Sequence, residues 1–373
     1  MVKKHFQKTT EDSFFGHFLY EQIIPKNHFL VQLKRIIPWE RFMNKLLPYY
    51  KGEAEYGRSP INPVSILKIL FLTYLYNISE RQTEEFVDFN LPAKFFVGLG
   101  VDEKAPDHAT LTVFKDRLIR GAGLLAYEAI FNEIIKIALE KGVIFGSIQI
   151  IDSTHTIANV NLEKDRIRKT KGKPPRDSSA SFGVKRLKKI KGEDGVVTEV
   201  KDSFYGYKSH KSLNSQSELI TSVKVSPGNR NDNLYFQDLV RKDLRKNIPI
   251  QAVTADRAYD DGDNITFCEV RGIKPAINLK DKRINSRSYE NNQRWRKLMN
   301  EEYYLKTLKQ RKKIERKFGE EKKHHGLSKA RYLGLMKYAV QSYFTAMAVN
   351  LKRIVTILTG ATLRNQSYVF AYG

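Results

Sequence analysis

Cysteine is almost absent: Cys268 is the one example in 373 residues. A lone thiol excludes an intramolecular disulfide and any CxxC metal motif, and it fits a reducing, intracellular setting. Long hydrophobic runs are also missing. The longest, Ile61 to Tyr76, is interrupted by Asn62, Ser65 and Lys68 and is too short to span a bilayer. The N-terminal MVKKHFQKTTEDSFF has no apolar signal core. There is no internal repeat and no long low-complexity tract. Acidic residues are in deficit, with 41 Asp and Glu against 65 Lys and Arg, a formal charge of +24. A field of that sign attracts polyanions, which puts DNA or RNA ahead of a membrane surface or a ribosome as the partner.

What is present is ordinary globular material: 41% hydrophobic and 28% charged residues, enough for a buried core and roughly two or three domains. The positive charge gathers in the second half. Asn161 to Lys191 holds twelve basic residues against three acidic ones, and Lys280 to Arg331 holds eighteen against seven. Up to about residue 122 the pattern is helical. Ser59-Pro60 leads into a segment with apolar residues on nearly every face (Ile66, Leu67, Ile69, Leu70), as in a helix buried in a bundle. Ser79 with Gln82 has capping-box spacing, and Asp107 reads as an N-cap. The two helices these residues start are candidates for a helix-turn-helix-like DNA reader, with an unusually long connection from Leu91 to Pro106.

After a helix over about Leu124 to Glu140, strands are expected at Gly146–Asp152, Phe204–Leu213, Leu219–Val225, Ile248–Thr254 and Lys274–Ile277. Helices are expected at Asn231–Lys246 and Asp261–Arg271. The polar, basic stretch from about 159 to 203, with Pro174-Pro175 and several serines, reads as a loop or insertion. The order implies an α/β fold, a mixed sheet covered by helices.

Three acids stand out by position. Asp152 ends the strand IQIID, and Asp256 follows IQAVTA. Side chains at strand ends leave the packed layer while their backbone stays rigid. Glu315 falls on an expected helix, EEYYLKTLKQRKKIERKF, on one stripe with Leu308, Arg311, Phe318 and Lys322. An acid on a core-facing stripe needs a partner, and a metal ion would serve. Carboxylates suit hard divalent cations, which promote phosphoryl transfer. The same residues are equally N-caps, turn formers or, for Glu315, an i,i+4 partner of Arg311, and spacing alone leaves both readings open.

From about Gly57 to Tyr343 the sequence resembles the DDE-type transposases of bacterial insertion sequences, whose catalytic core is ribonuclease H-like. NPVSILKILFLTYLYNISERQTEEF and VDEKAPDHATLTVFKDRL resemble the helical domain that precedes that core. IDSTHT and TADRAYDD resemble the two aspartate motifs, with YGYKSHKSLN and VSPGNRNDN between them, and RKKIERKFGEEKKHHGLSKARYLG resembles the glutamate motif. The family's last motif is Tyr, Arg, Glu and Lys separated by two, three and six residues. Arg311, Glu315 and Lys322 keep that spacing, whereas Leu308 stands in the tyrosine position, with Tyr303 and Tyr304 one turn earlier.

The resemblance implies an α/β, ribonuclease H-like mixed sheet flanked by helices and preceded by an all-α domain. The implied division is a DNA-end-binding helical domain over 1–122, a catalytic domain over 123–345 with the basic insertion, and a C-terminal helix and tail over 346–373. It implies that Asp152, Asp256 and Glu315 bind two Mg²⁺ or Mn²⁺ ions and catalyse nicking at transposon ends, followed by attack of the 3′-hydroxyl on target DNA. Arg311, Lys322, Lys312, Lys313, Lys208, Arg257 and His324 would contact DNA. Of the other candidates, His325 reads as a surface histidine, Trp295 as a packing residue ahead of a base-stacking one, and His155 and Asp260 as supports for the neighbouring aspartates. The partners implied are terminal inverted repeats, target DNA and a second copy in the synaptic complex, in the bacterial cytoplasm at the nucleoid. A ribonuclease H-like nuclease without strand transfer, and a non-catalytic DNA-binding descendant of a transposase, are the alternatives.

Overall fold

The structure, a computed structural model, describes residues 6–7, 14–50, 59–191, 197–285 and 288–363. Gly57, part of the basic stretch (192–196) and the tail beyond 363 lie outside the described residues. Contacts divide the chain into one unit of Met1–Val143 with Tyr343–Gly373 and a second of Ile144–Ser342. Among the described residues no helix is long and apolar enough to cross a membrane.

The first unit is helical: α1 (Phe14–Ile23), α2 (Phe29–Ile36), α3 (Glu40–Leu46), α4 (Pro63–Leu75), α5 (Glu80–Phe89), α6 (Leu91–Val97), α7 (His108–Ala122) and α8 (Leu124–Glu140). Every residue of α4 is buried, as its all-round apolar pattern requires. Asn62 caps it and Pro63 occupies its first turn, where a missing N–H costs nothing. Ser79 and Gln82 form the expected capping box, and Asp107 accepts from Ala109 N at 2.7 Å. The helix-turn-helix expectation fails on the connection. It contains α6, started by Asn90, whose side chain accepts from Ala93 N at 2.9 Å, and ended by Gly98 at φ 92°.

The second unit contains β1 (Ile148–Ile157), α9 (Leu162–Thr170), β2 (Ser181–Lys191), β3 (Val197–Asn214), β4 (Ile220–Pro227), α10 (Phe236–Arg245), β5 (Ala252–Ala255), α11 (Gly262–Glu269) and β6 (Lys274–Ile277). There follow α12 (Asp281–Ile284), α13 (Tyr289–Asn300), α14 (Glu302–Lys309), α15 (Lys312–His324) and α16 (Leu335–Thr359), the last counted with the first unit from Tyr343 on. The sheet order is β2-β3-β1-β5-β6, with β4 also paired to β3. β1, β5 and β6 run parallel, and β3 is antiparallel to β1, β2 and β4. This is the ribonuclease H-like mixed sheet flanked by helices. One face packs Ile151, Val253, Phe236, Leu239 and Tyr259 into a core. At the far end of β1 only glycine fits at 206, because a Cβ there would lie 2.0 Å from the Thr156 carbonyl oxygen.

Three features depart from the sequence pattern. The basic stretch is not a loop: it forms α9, capped by Asn161, and a hairpin of β2 with the outer half of β3. Backbone pairing holds that hairpin, and side-chain composition does not register it. The glutamate segment is not one helix either, because α14 ends at Lys309 and α15 begins at Lys312 with Arg311 as its N-cap. Finally, the unit boundary falls after Val143 and not after residue 122. Tyr127 of α8 donates to Lys115 O at 2.9 Å and Phe131 meets the Tyr343 ring at 5.7 Å, which ties α8 to the helical unit.

Candidate active site

The register of two parallel strands brings the aspartates together. Ile151 of β1 pairs with Ala255 of β5, so Asp152 and Asp256 are the next residues on adjacent strands, where the pairing ends. The Asp152 side chain is only 14% exposed. Its Oδ1 accepts from Ser153 N at 2.8 Å, and its Oδ2 lies 3.9 Å from an Arg311 guanidinium nitrogen. Burial, and after it the charge of Asp256, push the Asp152 carboxyl up to about 7; Ser153 N–H and Arg311 act in the opposite sense. Asp256 caps the short helical turn Arg257–Tyr259, accepting from Ala258 N at 2.8 Å.

Glu315 joins this pair through Arg311. The same guanidinium nitrogen that approaches Asp152 lies 3.8 Å from Glu315 Oε1. The expectation of a core-facing acid is corrected here: the Glu315 side chain is 59% exposed. The buried stripe of α15 is instead Ile314, Lys317, Phe318 and Glu321, so Glu315 stands at its edge. The three carboxylates do not converge as tightly as a preformed metal cluster. Among the described residues, the one group of three metal-ligating side chains within 4.8 Å of one another is Glu84, Asp107 and His108, in the helical unit.

Sequence reasoning missed three neighbours. Asp232, from the GNRNDN segment, accepts from Lys208 Nζ at 2.9 Å, and its charge also raises Asp152. The Tyr259 phenol is wholly buried, and desolvation followed by the charges of Asp152, Asp232 and Asp256 raises its pKa well above normal. Lys211 lies directly opposite Asp152 on β3, so the two side chains share a face of the sheet. Its ammonium is buried and bonded to Glu321 of α15, also buried. Strand alternation in YGYKSHKSLN was the signal for Lys211; nothing local marked Asp232 or Tyr259.

The expected DNA contacts divide in two. Arg311 sits among the carboxylates. Lys322 is half-buried and, with Lys185, helps burial pull His155 down to about 4. Lys312 is exposed and His324 is partly buried. By contrast, Lys208 is held by Asp232, Lys313 donates to Ser215 O at 2.8 Å, and Arg257 lies 3.3 Å from Asp281. His325 is fully buried, against the surface placement expected from sequence. Trp295 packs in the core beside α11 and β6. His155 rests on the Phe204 ring at 4.9 Å. Asp260 accepts from Lys280 N at 2.7 Å and also binds Arg283, an anchor for α12. Tyr304 donates to Ile277 O at 2.7 Å, so it does not replace the tyrosine missing at Leu308.

The donor set is all oxygen: a buried carboxylate, a second one beside it that raises its pKa, and a third in reach through Arg311. Such like charges fit hard divalent cations, which would take the place of the proton that burial, and after it the Asp256 charge, hold on Asp152.

Residues 146–351 match the family model described as the transposase DDE domain, and residues 18–117 the one described as a transposase domain (DUF772). Among solved structures, the Mos1 transposase paired-end complex with left transposon end matches over 74% of this chain and 83% of that chain. Identity is 10% and the TM-score 0.20, too low to bear on the fold.

Proposed function

The chain belongs to the transposase DDE domain family and is an enzyme of that type; from this premise we propose that it cleaves transposon ends hydrolytically and joins the freed 3′-hydroxyl to target DNA. The observation that carries the proposal is the placement of Asp152 and Asp256 on neighbouring strands just past the point where the parallel pairing of β1 and β5 ends, with Arg311 lying between Asp152 and Glu315.

In this reading Asp152, Asp256 and Glu315 hold two Mg²⁺ or Mn²⁺ ions. Bound there, the ions supply activation of the attacking water or 3′-hydroxyl and stabilise the leaving oxygen. Asp152, whose pKa is raised by burial and then by the charge of Asp256, would have to give up its proton when a cation is taken up. Arg311, which balances the carboxylates, is then available to a DNA phosphate beside them, with Lys322 and Lys312 adding positive charge on the same helix. Tyr259, wholly buried and within the field of Asp152 and Asp256, keeps one flank of the aspartates out of water. End recognition falls to the helical unit, and holding two ends requires at least two copies in the active complex.

The test is an assay on linear DNA carrying the element's terminal repeats, with Mg²⁺. The parent is expected to nick at the ends and to join them to a target plasmid. Asp256→Asn should abolish both steps and keep DNA binding. Cleavage without joining would make the protein a nuclease of the same core. If Asp256→Asn cleaves like the parent, the site assignment is wrong.

A further inference from the structure

The basic stretch builds a groove that the carboxylate site does not use. It has a volume of about 780 Å³, within the range of small-ligand sites. Its walls are α9, the loop through Pro174 and Pro175, Phe182 of β2 and Tyr205 of β3. Phe182 and Tyr205 are cross-strand partners with ring centroids 5.0 Å apart. Phe182 is 62% exposed, unusual for a large aromatic ring on a paired strand.

The groove is pinned from several sides. Arg168 Nε donates to Pro174 O at 3.1 Å, Arg176 N to Asp165 Oδ1 at 3.2 Å, and Tyr205 OH to Asp177 O at 2.6 Å. Gly172, at φ 66°, makes the turn that brings the loop back over α9. A cavity held this way costs little ordering on binding.

Its chemistry is aromatic and cationic. Arg166, Lys169 and Lys173 line it and have no acid partner among the described residues. The one acid of the lining, Asp165, is engaged by Arg176 N and lies 3.9 Å from Arg168. An apolar peptide would leave these three cations uncompensated. A nucleotide satisfies both halves, with a base on the ring and phosphates on the cations. Paired bases inside a duplex hide both faces in the stack, so away from a duplex end a base must be unpaired to lie on Phe182.

We propose that this groove holds an unpaired nucleotide of a DNA strand, its base stacked on Phe182 and its phosphates against Arg166, Lys169 and Lys173. The proposal rests on the reading that the protein acts on DNA, but not on where it cuts.

The test measures binding of the full chain, without divalent metal, by fluorescence anisotropy. The probes are a blunt duplex, the same duplex with a short single-stranded overhang, and a deoxynucleoside monophosphate as competitor. The parent is expected to bind the overhang duplex about tenfold more tightly than the blunt one. Phe182→Ala should bind both with the blunt affinity, and Phe182→Trp should keep the preference, which separates stacking from a folding defect. If Phe182→Ala retains the parent's preference, or if the parent has none, this proposal fails while the DNA reading stands. If the mononucleotide competes as well as the overhang, the groove is a free-nucleotide site and the proposal is overturned. A parent that binds neither duplex refutes the DNA reading together with this one.

Discussion

Replacing Lys211 with methionine removes the cation from a carboxylate that cannot reach water. Lys211 and Glu321 are both fully buried, and their bond joins β3 to α15, the strand facing Asp152 to the helix carrying Glu315. Lys211 binds Oε1 of Glu321, and the other oxygen, Oε2, has no hydrogen-bond partner. Burial pulls the Lys211 ammonium down and the carboxylate holds it up. Breaking such a pair from one side costs about 3–5 kcal/mol, because the remaining charge is stranded, whereas exchanging both partners for apolar groups of similar volume is near neutral. For a unit of this size, Lys211→Met should lower the melting temperature by roughly 6–20 °C. Lys211→Met/Glu321→Leu should recover most of that loss. Urea unfolding, followed by circular dichroism, gives the free energies, and the midpoints should shift without a change in slope. A single variant within about 1 kcal/mol of the parent, or a double variant as unstable as the single, would refute the argument that stranded charge sets the penalty.

Asp152 makes stability depend on pH. Its folded pKa of about 7 lies above the ordinary 3.8, so the folded state holds its proton to higher pH than the unfolded chain does. The metal-free protein should therefore lose stability as pH rises from about 4 through 7, by on the order of a few kcal/mol from this group. Asp152→Asn should flatten that slope, which melting curves across the range would show. Arg311→Ala removes a charge that lowers the Asp152 pKa, so the proton released on Mn²⁺ uptake should persist to higher pH in calorimetry. The same variant should reduce the salt slope of DNA binding by about one, and an unchanged slope would remove Arg311 from the phosphate contacts. Tyr304→Phe should cost about 1 kcal/mol of stability through the lost bond to Ile277 O and leave cleavage unchanged; a cleavage defect would mean that its hydroxyl takes the part vacated at Leu308.

Much of this molecule is local in the sequence. β5 and the first half of β1 announce themselves as apolar runs followed by an acid, although β1 does not end at Asp152 but runs on to Ile157 as the antiparallel partner of β3; the Asn62, Ser79 and Asp107 caps follow from side chains that reach the first free N–H groups. What was not legible depends on partners distant in sequence. The hairpin of β2 is held by pairing with β3, so eleven residues with many cations look like loop until the partner strand is known. The break at Gln310–Arg311 lies inside a run of good helix formers, and the buried face of α15 is set by Ile314, Phe318 and Glu321, which leaves Glu315 exposed. Asp232 and Tyr259 reach the aspartates only through folding, and Lys211 reads as a surface lysine until Glu321 is seen against it.

The central claim, that these carboxylates assemble around divalent metal, is tested most directly by anomalous diffraction from crystals loaded with Mn²⁺. The account predicts anomalous density between Asp152 and Asp256, with the Arg311 guanidinium displaced from Asp152. A map with no peak there at saturating Mn²⁺, or with density at Glu84, Asp107 and His108 alone, would contradict it.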